Sequence, residues 1–434
     1  MFKSKRSVRT KLAVGFYCAS ALLCAFALHS FGQGQNTTPR LKAYTWVKPV
    51  QSQAQVEYMK NYSAANPGHS LPLFNFITQS SRDGSGGDSQ PIYQGTIVGD
   101  PTSGPQNIPT FVVPLIIKTH TIGTKVNPDG SISTKPGNHT FNPTVADTNC
   151  LGTMGNNVPS TLFQQSPLIV PATFVFGGTL VGTTQYVDAF QRANFWAIED
   201  QNLFHTNLNP VKTLKAIVID VPADKGLALA TNALGPPNFC APMGIIDINW
   251  FDLYVNTTVL PALVGKGVNP SNFPIFLVHN LVWGFPPINT IFDCCVLGYH
   301  GSGDFVPTQT YSPMNFDSTG LFGVGALDTA VAAHEVAEWM NDPFGNNPTP
   351  PWGHTGQVGG CQNNLEVGDP LTGTIVAPVV MANGFTYHLQ ELAFFSWFYG
   401  ADPLQGPNAP LSLGIHGWFS NNGTFLTNAG PPCQ

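Results

Sequence analysis

Along this 434-residue chain, apolar and polar positions alternate in short runs punctuated by Gly and Pro, and apolar runs become dense only from Ile108 onward. Phe111 to His120 (FVVPLIIKTH), Lys215 to Val221 (KAIVIDV) and Phe273 to Trp283 (FPIFLVHNLVW) are β-branched or aromatic runs bounded by turn-formers. Each predicts a core strand. Helical spacing is rarer: it covers Thr184 to Trp196, a second segment from Phe251 to Leu263, and most clearly Asp328 to Asn341. In that last segment Asp328 is placed to cap the first turn. Thr329 to Met340 is Ala-rich without Gly or Pro, and Pro343 ends it. Tyr387 to Tyr399 (YHLQELAFFSWFY) reads as a further core helix. Strands mixed irregularly with a few helices, without steady β-α alternation or a fixed-period repeat, predict the α+β class.

Composition narrows the function classes. With 44 Gly, 38 Pro and only 10% charged residues, the chain is no coiled coil, helical bundle or charged disordered protein. Residues 1–33 read as a signal peptide: Lys3, Lys5, Arg6, Arg9 and Lys11 precede the apolar run Leu12 to Leu28, with cleavage expected between Ser30 and Gln33. The product is expected to be secreted, extracellular or periplasmic, with no stable membrane insertion after cleavage. Residues 34–107 are polar, include the linker-like SSRDGSGGDSQ, and read as a low-complexity lead-in or propeptide-like segment. Residues 108–434 read as one large domain. Removing the five basic residues of the signal leaves 13 Lys+Arg against 24 Asp+Glu, a charge near −11 that offers no basic surface for nucleic acid. Six cysteines remain beyond the signal, Cys150, Cys240, Cys294, Cys295, Cys361 and Cys433, and an even count in an exported chain predicts disulfides. The adjacent pair Cys294-Cys295 is expected to bond elsewhere, since the ring closed by neighbouring cysteines is strained.

The chemistry concentrates on the best helix, which carries Ala333-His334-Glu335-Val336-Ala337-Glu338-Trp339-Met340-Asn341-Asp342. Positions i and i+4 share a helix face, so His334 and Glu338 can share a metal ion, with Glu335 beside them. With 11 His and Glu at only six positions, an H-E-x-x-E string is expected by chance about 0.002 times. The apolar flanks Val331, Ala333, Val336, Ala337 and Met340 offer these acids no cationic partner. A third ligand must come from elsewhere. Glu366, in Asn364-Leu365-Glu366-Val367-Gly368-Asp369, is the natural candidate, with Asp369 as an acid that orients a ligand. Asp342, one turn beyond Glu338, competes locally, and His354 and His388 follow as alternative ligands; His300 reads as an ordinary strand-end residue.

The stretch Asp328 to Asp369 resembles the active-site helix of zincin-type metallopeptidases, in a variant written HExxE, followed by Asp342-Pro343 and Glu366-x-Gly-Asp369. It is also similar to exported bacterial proteins with the same HE-x-x-E, DP and E-x-G-D succession. The resemblance implies a zincin-like domain with a mixed sheet, disulfide-stabilised, and a Zn²⁺-dependent peptidase acting on protein or peptide substrate. It assigns His334, Glu338 and Glu366 to the metal and makes Glu335 the base that takes a proton from the bound water. It also implies a strand near the helix that pairs with extended substrate, for which Phe273 to Trp283 is the candidate. Replacing the second His by Glu338 makes the metal a weaker Lewis acid and opens the site to Ca²⁺ or Mn²⁺. A non-catalytic, metal-stabilised extracellular protein that binds cell-wall or glycan ligands is the alternative function, and the oligomeric state stays open.

Overall fold

A computed structural model describes residues 41, 70–80, 91–153, 157–197, 204–302, 308–400 and 433. The expected signal peptide lies outside the described residues. The strands, in chain order, are β1 (Leu73–Gln79), β2 (Ile92–Val98), β3 (Gln106–Val126), β4 (Ile132–Phe141), β5 (Ala172–Phe176), β6 (Thr179–Thr184), β7 (Thr206–Thr213), β8 (Ile217–Asp220), β9 (Gly226–Leu229) and β10 (Met243–Asp247). They continue as β11 (Phe273–His279), β12 (Leu281–Gly284), β13 (Cys294–Val296), β14 (Gly301–Ser302), β15 (Thr310–Phe316), β16 (Pro348–Gly353), β17 (Cys361–Asn364), β18 (Val379–Val380) and β19 (Thr386–Tyr387). The described α-helices are α1 (Pro159–Gln164), α2 (Tyr186–Asn194), α3 (Ile248–Tyr254), α4 (Leu260–Val264), α5 (Ala330–Asn341) and α6 (Phe395–Tyr399). The protein is thus mixed, mostly strands with few helices. No described helix is long and apolar enough to cross a membrane.

An eleven-stranded mixed sheet forms the centre, with the path β13-β12-β10-β9-β3-β11-β15-β14 and with β4, β7 and β8 also paired to β3. Its inner strands are apolar on both faces because both faces are buried. Along β11, Ile275 and Leu277 belong to one core cluster while Phe276 and Val278 belong to another, and Ile245 and Ile246 of β10 divide in the same way. The helical stretch α3 to α4 (Phe251, Val255, Leu260) packs with the second cluster, while α2 and α5 pack with the first. Every residue of α5 is buried, and Trp339 stacks on Phe273 of β11 with ring centroids 3.6 Å apart.

Several expectations need correction. The run Phe273 to Trp283 is not one strand: Asn280 adopts φ 50° between β11 and β12, a left-handed conformation that Asn tolerates better than other side chains. Both edges of β11 are taken by parallel pairing to β3 and β15, so this strand has no free edge for an extended substrate. Asp328 does not cap α5. The cap position falls to Thr329 without a side-chain bond, and Asp328 (φ 41°) instead accepts from the Thr329 and His388 backbone N–H groups. The Tyr387 to Tyr399 run is helical only in α6. The segment 34–107, read as a lead-in, contributes the β1-β2 hairpin, whose Phe76, Ile97 and Val98 enter the first core cluster. Cys294 and Cys295 are joined to each other, and the remaining four pair as Cys150–Cys240 and Cys361–Cys433.

Candidate metal centre

Four segments converge on one face of α5. The helix supplies His334 and Glu338, one turn apart, with Nε2 of the imidazole 3.0 Å from Glu338 Oε1. The loop after β17 brings Asp369 Oδ1 to 3.5 Å from the same nitrogen, and the Gly368 N–H donates to Glu338 Oε1 at 3.1 Å. Gly368 presses against the imidazole so closely that a Cβ there would lie 2.5 Å from the ring. The extended segment after β19 supplies Gln390, and the segment between β13 and β14 supplies His300, whose Nδ1 is 3.7 Å from both Glu335 Oε2 and Glu338 Oε2. Gly298, two residues earlier, lies directly on Glu335, and a Cβ there would meet Glu335 Cγ at 2.7 Å.

Hydrogen bonding fixes which nitrogen of His334 carries a proton. Gln390 Nε2 donates to the Gly368 carbonyl at 2.6 Å, so its Oε1 is the atom 3.1 Å from His334 Nδ1, and Nδ1–H is the donor. Nε2 is left facing two carboxylate oxygens, which only accept. A cation between them, or a proton on the ring or on one carboxyl, would satisfy all three atoms. Burial alone pushes the His334 imidazole down, but the charge of Glu338 and the bond to Asp369 outweigh it and hold the ring well above the ordinary histidine range. The same Nε2 that favours a second proton is the atom that could meet a metal ion.

The surrounding acids are crowded. Burial raises Glu335. It also raises Glu366 far above the carboxylate range, reinforced by Glu338, Asp342 and Asp369. Asp369 is raised by burial and by Glu338. Burial acts on Glu338 as well, yet His334, His300 and the Gly368 N–H bring it below its ordinary value, so it is the ionised member. Glu366 Oε1 accepts from Asn364 at 2.6 Å, while Oε2 is buried with no hydrogen-bond partner. A buried orphaned carboxylate oxygen amid His and carboxylate donors fits a divalent cation.

The structure brings together His334, Glu335, Glu338 and Asp369 of the expected set, with Glu366 among them electrostatically. The third atom close to His334 and Glu338 comes from Asp369, so Asp369 stands where Glu366 was expected, the group lying within 4.8 Å. The reason is local: Gly368 turns the chain against the imidazole and carries Asp369 with it, while Gln362 and Gln357 hold the Asp369 carboxylate. Asp342 is no ligand, because its carboxylate accepts the Asn346 and Asn347 backbone N–H groups; burial pushes it up to about 7. His354 lies apart, 3.6 Å from Cys361, whose sulfur is bonded to Cys433. His388 pairs with Asp328 at 2.6 Å instead of joining the cluster. Sequence reasoning set His300 aside as a strand-end residue and missed Gln390. The flanking Gly298 and Gly301 were the one sign that the chain approaches something closely near His300, and a neutral Gln gives no signal. No protein-family model, curated protein or solved structure matches the chain.

Proposed function

We propose that the α5 cluster holds a divalent metal, Zn²⁺ in the first place, and that the protein is a secreted metal-dependent peptidase of zincin type. The observation that carries this reading is the His334 imidazole, donating its Nδ1–H to Gln390 Oε1 and aimed through Nε2 at Glu338 and Asp369 from 3.0 and 3.5 Å. A metal-ligating His characteristically donates its other N–H to an oriented acceptor. Zinc–ligand bonds of about 2.0–2.2 Å set tetrahedral ligand atoms roughly 3.3 to 3.6 Å apart, and the His334–Asp369 separation of 3.5 Å falls in that range, the His334–Glu338 one a little below it. His334, Glu338 and Asp369 would hold the ion; Glu366, expected as the third ligand, is not in that group, although its Oε2 is buried without a hydrogen-bond partner. When bound, the metal supplies Lewis acidity, polarising a carbonyl and making water a better acid. Glu335, its affinity for a proton raised by burial, is suited to accept a proton and return it to a leaving amine. Gly298 holds that side chain against the cluster.

The test is elemental analysis of wild type beside His334→Ala after dialysis, followed by a peptide-library screen. Zinc in the wild type, depleted in the variant, with library cleavage that Glu335→Gln cuts by about 10²-fold or more while the His334 ion is retained, is the expected result. A metal-free wild type, or turnover that survives Glu335→Gln, overturns the reading. Burial favours a second reading, since the His334, Glu338 and Asp369 side chains are 8, 4 and 0% exposed, as in closed structural sites. There the ion, Zn²⁺ or Ca²⁺, stabilises a protein that binds glycan or cell-wall ligands: metal is found and no peptide is cleaved.

A further inference from the structure

A second group of donors adjoins the first and shares one member with it. His300, Glu335 and Glu338 offer three ligand atoms within 4.8 Å of one another, as do His334, Glu338 and Asp369. Glu338 faces the two groups with different oxygens: Oε1 lies 3.0 Å from His334 Nε2, and Oε2 lies 3.7 Å from His300 Nδ1.

The proton on His300 is located as it was on His334. Its Nε2 stands 3.0 Å from the Asp342 carbonyl oxygen, which only accepts, so Nε2 carries the hydrogen. Nδ1 then faces Glu335 Oε2 and Glu338 Oε2, both at 3.7 Å. That distance is too long for a hydrogen bond to either oxygen, and close to the upper end of the spacing between two ligands on one ion. Two imidazoles on opposite sides of one carboxylate thus each donate outward to a carbonyl-type oxygen and turn the other nitrogen inward.

Charge makes the same point. Glu335, Glu338, Glu366 and Asp369 are all buried, 5% exposed or less. Ionised together, as metal binding would require, these four would carry −4, a charge that one divalent ion halves and two neutralise, whereas without metal protons meet the same need. Glu366 Oε2, buried without a hydrogen-bond partner in the same acidic region, is a separate sign of charge there that no protein group meets.

We propose that the centre takes two divalent cations bridged by the Glu338 carboxylate, His334 and Asp369 serving one ion and His300 and Glu335 the other. This rests on the metal reading above, makes His300 a ligand, and casts Glu335 as a ligand of the second ion in place of the free base named there. Carboxylate-bridged pairs hold their ions about 3.5–4 Å apart, and the oxygen-rich donor set suits Mn²⁺ as well as Zn²⁺.

The full chain, stripped with chelator and reloaded with Mn²⁺, is the sample. The expected stoichiometry is two equivalents in the wild type and one in both His300→Ala and Glu335→Gln. The electron paramagnetic resonance spectrum of the Mn²⁺-loaded wild type is expected to be that of an exchange-coupled pair, a readout that needs no variant to fold. One equivalent in the wild type, with the six-line signal of an isolated ion, overturns the two-ion proposal and leaves the single-metal reading standing. Failure of the wild type to bind Mn²⁺ or Zn²⁺ overturns both.

Discussion

With a Cβ on residue 368 only 2.5 Å from the His334 ring, Gly368→Ala must move either the imidazole or the loop that carries Asp369. The glycine is required by close approach, its φ of −85° being open to any residue. Metal affinity of the Ala variant, measured by competition with a chromophoric chelator, is expected to fall at least about tenfold, roughly 1.4 kcal/mol. Glu391 makes a different residue-scale case. Its side chain lines a small apolar cavity with Phe176, Tyr186, Phe190, Val376, Leu392 and Phe394, and burial pushes it up to about 7. A carboxyl whose folded pKa exceeds its unfolded one contributes stability while protonated, and loses it as pH rises through the folded value. Between pH 5 and 8 the wild type is therefore expected to lose melting temperature relative to Glu391→Gln, by up to about 3 kcal/mol in stability. Parallel melting curves across that range would remove the assignment.

At the scale of elements, α5 is held at its start by an ion pair outside the cluster. Asp328 binds the Thr329 N–H at 2.6 Å and the His388 imidazole at 2.6 Å, tying the helix to the segment that delivers Gln390. Burial lowers the His388 pKa, but Asp328 more than compensates, so the pair is charge-assisted. Asp328→Ala is expected to cost about 3 kcal/mol in denaturant unfolding and to weaken metal binding without removing a ligand; unchanged affinity would show that Gln390 is positioned by other contacts. Elements were legible where local rules decide. The Ala-rich run and Pro343 gave α5, and Tyr186 to Asn194 gave α2, because propensity and stop signals agree. Apolar runs were less informative: FPIFLVHNLVW is interrupted only by the pair His279-Asn280, and one polar pair within so apolar a run does not distinguish a break from a single interrupted strand. The i,i+4 pair His334 and Glu338 could be read from helix geometry alone. Asp369 in place of Glu366, and His300 at all, depend on loops whose paths are set by tertiary packing against Gly368 and Gly298.

Across the whole molecule, the cluster joins α5, the segment after β13, the loop after β17 and the segment after β19. Metal that binds only the folded state stabilises by mass action, about 4 kcal/mol at a thousandfold excess over Kd. Chelation is thus expected to lower the melting temperature, and readdition of Zn²⁺ or Mn²⁺ to restore it, in calorimetry; identical scans would argue that the carboxylates are neutralised by protons alone. The bridge Cys361–Cys433, separated by 72 positions, has a consequence for how these parts meet. His300, His334, Glu335 and Glu338 all precede Cys361, whereas Glu366, Asp369 and Gln390 lie inside the loop that the bridge closes. Pinning both ends of that loop removes about 4 kcal/mol of chain entropy from the unfolded ensemble and lowers the cost of ordering the segment that carries Asp369 and Gln390. An oxidising compartment would then do more than harden the fold: by closing this loop it would set how readily the centre assembles around its ions.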